Sequence, residues 1–220
     1  MKTVLITGAS RGLGKALARI FIDNKDGLIL HSRETMIKPP PWITHEVIYG
    51  DLALGKTITR LANIAKRMDV DILINNAGIY LNKSFPDMTI AEFKEVIDIN
   101  LLAPIELTKA IWPIFQKKKS GIVININSMA GKQGSNGESA YCASKHGLRG
   151  FSSSLQFDAT KHNIRVIDVY PGGMRTDMTK DRANSEKLID PCEVAQLIFK
   201  LCEDYPSMRI TEIDLNRRIY

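Results

Sequence analysis

Thr7-Gly8-Ala9-Ser10-Arg11-Gly12-Leu13-Gly14 follows a short apolar run, Val4 to Ile6, and opens an amphipathic stretch from Leu13 to Ile22. A strand that turns straight into a helix needs glycine for the tight turn. The helix N-terminus then offers unpaired N–H groups at the positive end of its dipole, and together these suit close approach of a pyrophosphate. The spacing is G-x-x-x-G-x-G, which differs from the G-x-G-x-x-G of the commoner dinucleotide fingerprint. Nor is it a P-loop: Ala9 stands where the first glycine belongs, and Ala16 replaces the required hydroxyl.

Outward from this turn, the same alternation repeats. Val4 to Ile6, Leu28 to Leu30, Val47 to Tyr49, Ile72 to Ile74, Ile122 to Ile126 and Val166 to Val169 each read as a buried strand. Ile210 to Leu215 is a seventh, more alternating, as befits an edge. Helical patterns are clearest at Leu13 to Ile22, Ile90 to Phe115, Ala140 to His162 and Pro191 to Cys202, the last with Asp190 as N-cap and Pro191 in its first turn. The expectation is an α/β fold: a Rossmann-like doubly wound sheet of about seven parallel strands, helices on both faces, one domain over residues 1–220. Two segments break the pattern. Lys38-Pro39-Pro40-Pro41-Trp42 reads as an extended surface connection, and Thr176 to Ile189 as a mobile loop beside the site.

Composition excludes several classes. With 220 residues, 44% hydrophobic and 25% charged, the chain can bury a core without staples and is neither disordered nor collagen-like. No apolar run has the length of a membrane span, and the N-terminus reaches Gly8 too early for a signal peptide. Cys142, Cys192 and Cys202 cannot all pair and have no metal-ligand spacing, so a reducing cytoplasm and no metal are expected. The net charge of +6 is dispersed. Its densest run, Lys117-Lys118-Lys119, falls in an expected loop, and reads as solvated surface rather than a nucleic-acid track.

The end of the second strand reads which ribose a dinucleotide presents. An acidic residue there holds a 2′-hydroxyl; a basic one accommodates a 2′-phosphate. Leu30-His31-Ser32-Arg33 offers a hydroxyl at Ser32 and a guanidinium at Arg33, and Arg11 approaches from the glycine turn. This favours NADP(H), with NAD(H) as the alternative; His31 reads as structural.

Tyr141 and Lys145 are four apart in a helical stretch and so share a face. A phenol is a poor acid–base group at neutral pH unless a nearby cation favours its phenolate, and Lys145 is spaced to supply one. Ser128 ends the fifth strand, at the sheet edge where open parallel sheets bind ligands. Set together, Thr7-Gly8-x-x-x-Gly12-x-Gly14, Asn75-Asn76-Ala77-Gly78, Asn100, Ser128, Tyr141-x-x-x-Lys145 and Pro171-Gly172-Gly173-Met174-Arg175-Thr176 resemble the short-chain dehydrogenase/reductase family in order and spacing, from residue 1 to about residue 215.

The resemblance implies a hydride transfer between nicotinamide and a carbonyl compound or secondary alcohol. Tyr141 would be the general acid or base, and Ser128 would hydrogen-bond the reacting oxygen. Lys145 would hold the nicotinamide ribose and lower the tyrosine pKa, and Asn100 would hold a water linking Lys145 to solvent. Gly8, Ser10, Arg11, Gly12, Leu13 and Gly14 would carry the phosphates. Asp51, with Leu52 beside it, would contact the adenine ring, and Asn76, Ala77 and Gly78 would support the sheet and flank the adenine ribose. Pro171, Gly172, Met174 and Thr176 would grip the carboxamide. Ile79, Tyr80, Met129, Gln133, Tyr170 and the loop after Thr176 are expected around the substrate, a small or medium neutral carbonyl compound. The C-terminal Asp214 to Tyr220 lacks the glycine-rich segment through which many relatives contact another subunit. A homodimer through the long helices at Ile90–Phe115 and Ala140–His162 is therefore expected. The competing reading is a non-catalytic nucleotide-binding sensor on the same fold, which would not need the complete Asn100, Ser128, Tyr141, Lys145 set.

Overall fold

The structure, a computed structural model, describes residues 1–33, 39–179, 187–203, 205 and 207–218. Its elements run β1 (Thr3–Ile6), α1 (Gly12–Asp23), β2 (Gly27–Ser32), β3 (His45–Tyr49), α2 (Gly55–Arg67), β4 (Ile72–Asn75), α3 (Ile90–Ile97), α4 (Ala103–Lys118), β5 (Gly121–Ile126), α5 (Ser139–Lys161), β6 (Ile164–Pro171), α6 (Pro191–Leu201) and β7 (Glu212–Leu215). All seven strands join one parallel sheet in the order β3-β2-β1-β4-β5-β6-β7, the Rossmann-like arrangement expected.

Strand alternation divides the core in two. Val4, Ile6, Ile72, Ile74, Ile122 and Ile124 point to one face, under Leu13, Leu17 and Phe21 of α1 and Val194 and Ile198 of α6. Leu5, Leu73 and Val123 point to the other, under Ile58 and Leu61 of α2 and Leu107, Ile111 and Phe115 of α4. Interior strands are therefore apolar on both faces, which is why they read as continuous runs, whereas β7 alternates as an edge.

Three local readings are corrected. Pro39–Trp42 does not run extended: Ile43 N–H donates to the Pro40 carbonyl at 3.1 Å, closing a turn with Pro41 at the position where proline's fixed φ suits it. Lys38 lies outside the described residues. Lys117 and Lys118 belong to the last turn of α4, and Lys119 ends it with φ of 49°; Lys118 is drawn in by Asp69 at 3.2 Å and by Asp71. Finally, the long helix expected over Ile90–Phe115 is interrupted at Asp98–Leu102 by a π-helical turn before continuing as α4. A π-turn widens the helix locally, and such turns cluster at functional sites.

Candidate active site

A cleft of about 470 Å³ opens at the C-terminal edge of the sheet, where the chain changes direction between β1 and β4. Its phosphate end is the β1–α1 turn, where Gly8 and Gly12 take φ of 67° and 52°. Close packing explains the glycines more fully than a ligand does. A Cβ on Gly8 would sit 2.9 Å from the Ala77 Cα, and one on Gly14 would sit 2.1 Å from the Gly8 carbonyl oxygen and 2.6 Å from Asn76 Nδ2. Asn76 Nδ2 donates to the carbonyls of Thr7 at 2.8 Å and Gly8 at 3.1 Å, while Thr7 Oγ1 accepts from the N–H groups of Asn76 and Ala77, both at 3.0 Å. The turn is thus clamped to the end of β4. Helix α1 has no side-chain cap on its first turn and no acidic residue there, so its opening donors suit an anion.

Gly8, Ser10, Arg11, Gly12, Leu13, Gly14, Arg33, Asp51, Leu52, Asn76, Ala77 and Gly78 line this half of the cleft. Ser32 does not. It is a fully buried strand residue, and alternation sends its neighbours His31 and Arg33 to the cleft while Ser32 faces away. His31 turns out to be an organiser of this half. Its Nδ1 accepts from Gly8 N–H at 3.4 Å and its Nε2 meets the Gly50 carbonyl at 2.9 Å, which requires the neutral Nε2–H tautomer; burial lowers its pKa in the same sense.

At the chemical end, Ser128 follows β5 and its Oγ accepts from Ala130 N–H at 3.1 Å. Tyr141 stands in the first turn of α5, edge-on to Tyr80 at 5.2 Å. One helical turn on, Lys145 places its Nζ 5.8 Å from the Tyr141 ring centroid and donates to the Ile126 carbonyl at 2.7 Å. Ser128, Tyr141 and Lys145 all line the cleft, as do Pro171, Gly172, Met174 and Thr176. Asn100 is brought beside them but not onto the wall. Buried in the π-turn, its Oδ1 accepts from Ile79 N–H at 2.8 Å, and its Nδ2 donates to the Ile79 carbonyl at 2.9 Å and to Ser144 Oγ at 3.2 Å.

Tyr170 is a correction to the expected substrate wall. On β6 it shares a face with Asp168, is fully buried, and gives its hydroxyl to Asp168 at 3.0 Å. Ile79, Tyr80, Met129 and Gln133 do line the cleft, joined by Glu138, which accepts from the Tyr80 hydroxyl at 2.7 Å. After Thr176 the described chain continues to Thr179, whose Oγ1 accepts from Thr176 N–H at 3.2 Å and so folds this segment back over the cleft. Residues 180–186 of the loop expected to be mobile lie outside the described residues. Among the described residues no three His, Cys, Asp or Glu side chains gather as metal ligands.

Burial lowers the Lys145 pKa from 10.5 to about 8. The folded state therefore holds this proton less tightly than the unfolded chain does. The resulting penalty is full below pH about 8 and is relieved as pH rises towards 10.5. Denaturant unfolding of wild type and Lys145→Met at two pH values should show it. From pH 7 to pH 10 the difference should move by about 2 kcal/mol in favour of the wild type.

The family model for short chain dehydrogenase matches residues 2–187. The peroxisomal hydratase-dehydrogenase-epimerase of Saccharomyces cerevisiae is 33% identical over 92% of this chain, which spans 24% of that longer protein. The 3-oxoacyl-[acyl-carrier-protein] reductase of Synechocystis is 30% identical over 96% of this chain and 92% of its own. Among solved structures, a metagenomic short-chain oxidoreductase in complex with NADP superposes with a TM-score of 0.83 at 29% identity, covering 98% of this chain and 97% of that one. A 4-hydroxyisoleucine dehydrogenase complexed with NADH gives 0.88 at 26% identity and the same coverages. The family match and these likenesses run over nearly the whole chain and the same Rossmann-like sheet, and the chain belongs to the short chain dehydrogenases, nicotinamide-dependent oxidoreductases.

Proposed function

We propose that the protein is an NADP(H)-dependent oxidoreductase that interconverts a small carbonyl compound and its secondary alcohol. The observation that carries this reading is the approach of the Lys145 ammonium to the Tyr141 ring, 5.8 Å away, on a cleft wall shared with Ser128. When bound, the nicotinamide supplies or accepts the hydride. Ser128 Oγ would donate to the reacting oxygen and Tyr141 would give it a proton in reduction or take one in oxidation. Lys145 would favour the phenolate and hold the adjoining ribose. Asn100 would serve by fixing Ile79 and the start of α5 rather than through a free amide. The uncapped start of α1, with Gly8, Gly12 and Gly14, would hold the pyrophosphate, and Pro171 to Thr176 the nicotinamide.

Arg33 and Arg11 both line the adenosine end, which supports NADP(H) over NAD(H). A parallel titration of purified protein with NADPH and NADH tests this. NADPH should bind at least tenfold more tightly, and Arg33→Ser should weaken NADPH about tenfold while leaving NADH nearly unchanged. Equal binding of both would contradict a 2′-phosphate site at Arg33 and Arg11. The whole chain reads as one cofactor-binding domain, and its three free cysteines fit a reducing cytoplasm. Phe157, 76% exposed on α5, supports a homodimer through α4 and α5. Sedimentation of wild type and Phe157→Arg would decide it.

A further inference from the structure

We propose that Asp168, a carboxylate inside the sixth strand, is a positioning residue for the active site: it orients the Asn127 amide beneath Ser128 and places a fixed counter-charge under Lys145. The inference rests on the oxidoreductase reading above. Asp168 is 1% exposed, within Val166-Ile167-Asp168-Val169, where burial on both faces otherwise selects apolar residues. A buried carboxylate persists only when partnered. Here Asn125 Nδ2 donates to Oδ1 at 3.2 Å, and Asn127 Nδ2 and the Tyr170 hydroxyl donate to Oδ2 at 3.3 and 3.0 Å. The two amides reach it through Nδ2 and can only donate, and the Tyr170 hydroxyl also lies 3.2 Å from Glu212 Oε1. Burial raises the Asp168 pKa, while its hydrogen bonds oppose that rise and favour the carboxylate.

Two consequences reach the cleft, although Asp168 itself does not line it. With its Nδ2 turned to Asp168, Asn127 must present Oδ1 the other way, where it accepts from Ser128 N–H at 2.9 Å. Flipping that amide would set oxygen against carboxylate and NH₂ against N–H, so the carboxylate fixes the backbone that carries Ser128. The second consequence is electrostatic. Lys145 donates to the carbonyl of Ile126, the residue before Asn127, and is wholly buried; the negative charge of Asp168 opposes the loss of its proton.

The charged and titratable groups around Asp168 are Tyr170 on its own strand, Lys145 and Arg149 on α5, Glu212 and Asp214 on β7, and Lys132 beyond β5. The outer ones largely cancel. Lys132 pairs with Glu212 at 3.0 Å and with Asp214, Arg149 meets Glu212 at 3.3 Å, and the Lys132 ammonium lies 4.1 Å from the Tyr170 ring centroid. Lys145 is the cation left for Asp168 to act on among the described residues.

The test is Asp168→Asn, read first without cofactor. An ultraviolet phenolate titration, with Tyr141→Phe and the double variant as blanks, isolates the Tyr141 step. That step should move up by about one pH unit as the cation beneath it is lost. With NADPH and a reducible carbonyl substrate, kcat should fall roughly tenfold while the NADPH dissociation constant stays within about twofold. A folded variant with an unmoved Tyr141 step and unchanged kcat overturns the proposal. If Asp168→Asn does not fold, Tyr170→Phe removes only one donor, raising the proton affinity of Asp168. The acid limb of kcat against pH should then move upward, and a limb coincident with the wild type overturns the proposal. A folded wild type that binds NADPH but never turns over would sink the oxidoreductase reading alone, with the phenolate titration still deciding the role of Asp168.

Discussion

Tyr141→Phe should lower kcat on the order of a thousandfold while leaving NADPH affinity within about twofold. The variant removes one oxygen and keeps the ring, so the edge contact with Tyr80 and the start of α5 are retained. What disappears is the phenol hydroxyl on the cleft wall, one helical turn from the Lys145 cation and able to give a proton to a substrate oxygen. Stopped-flow hydride transfer and a fluorescence titration of NADPH on the same sample separate the two quantities. Turnover close to wild type would end the acid–base assignment, whereas parallel loss of binding would place Tyr141 with cofactor retention.

Gly14→Ala should be the most damaging single methyl in the molecule. Its Cβ would stand 2.1 Å from the Gly8 carbonyl oxygen, which is backbone, and 2.6 Å from Asn76 Nδ2, a side-chain end held by hydrogen bonds. Asn76 is tied to Thr7 and Gly8, so relief requires the whole β1–α1 turn to lift from β4. A cost of about 3 kcal/mol or more is expected, seen by calorimetry as a fall in Tm on the order of 10 °C, with NADPH binding lost alongside. Gly55→Ala is the internal control: nothing stands within 4 Å of its Cβ, and the change at the start of α2 should be neutral or slightly stabilising. Equal behaviour of the two variants would refute the packing role of Gly14.

Much of this was legible in the residues. The five interior strands announced themselves because burial on both faces leaves nearly uninterrupted Val, Ile and Leu runs, and the glycine turn stood between a strand and a helix. Residue type was read well and side-chain direction less well. Ser32 and Tyr170 carry suitable chemistry, yet strand parity turns both away from the cleft, and parity depends on where a strand's pairing begins. Helix α2, Gly55–Arg67, escaped notice although Ile58, Leu61 and Ala65 follow helical spacing, because its polar content masked a narrow apolar stripe. The π-turn at Asp98–Leu102 leaves no compositional trace. Asp168 did leave one, a charge within an apolar strand, whose meaning needed the tertiary partners to become readable.

The strand order carries a kinetic consequence. No neighbouring pair in this sheet is antiparallel, so no hairpin can form early and template the rest. The cleft joins Gly8 on β1's end to Thr176 after β6, and the intervening β4 and β5 must be paired before those two sides face each other. Contacts of such sequence separation are paid for in loop-closure entropy before they return anything, which makes them late. In refolding from denaturant, helical signal should recover well ahead of NADPH binding, and binding should return in the slowest phase, together with burial of the sheet. Nascent chains would share the same order of events, incapable of holding the nucleotide until β6 and the segment beyond it have left the ribosome.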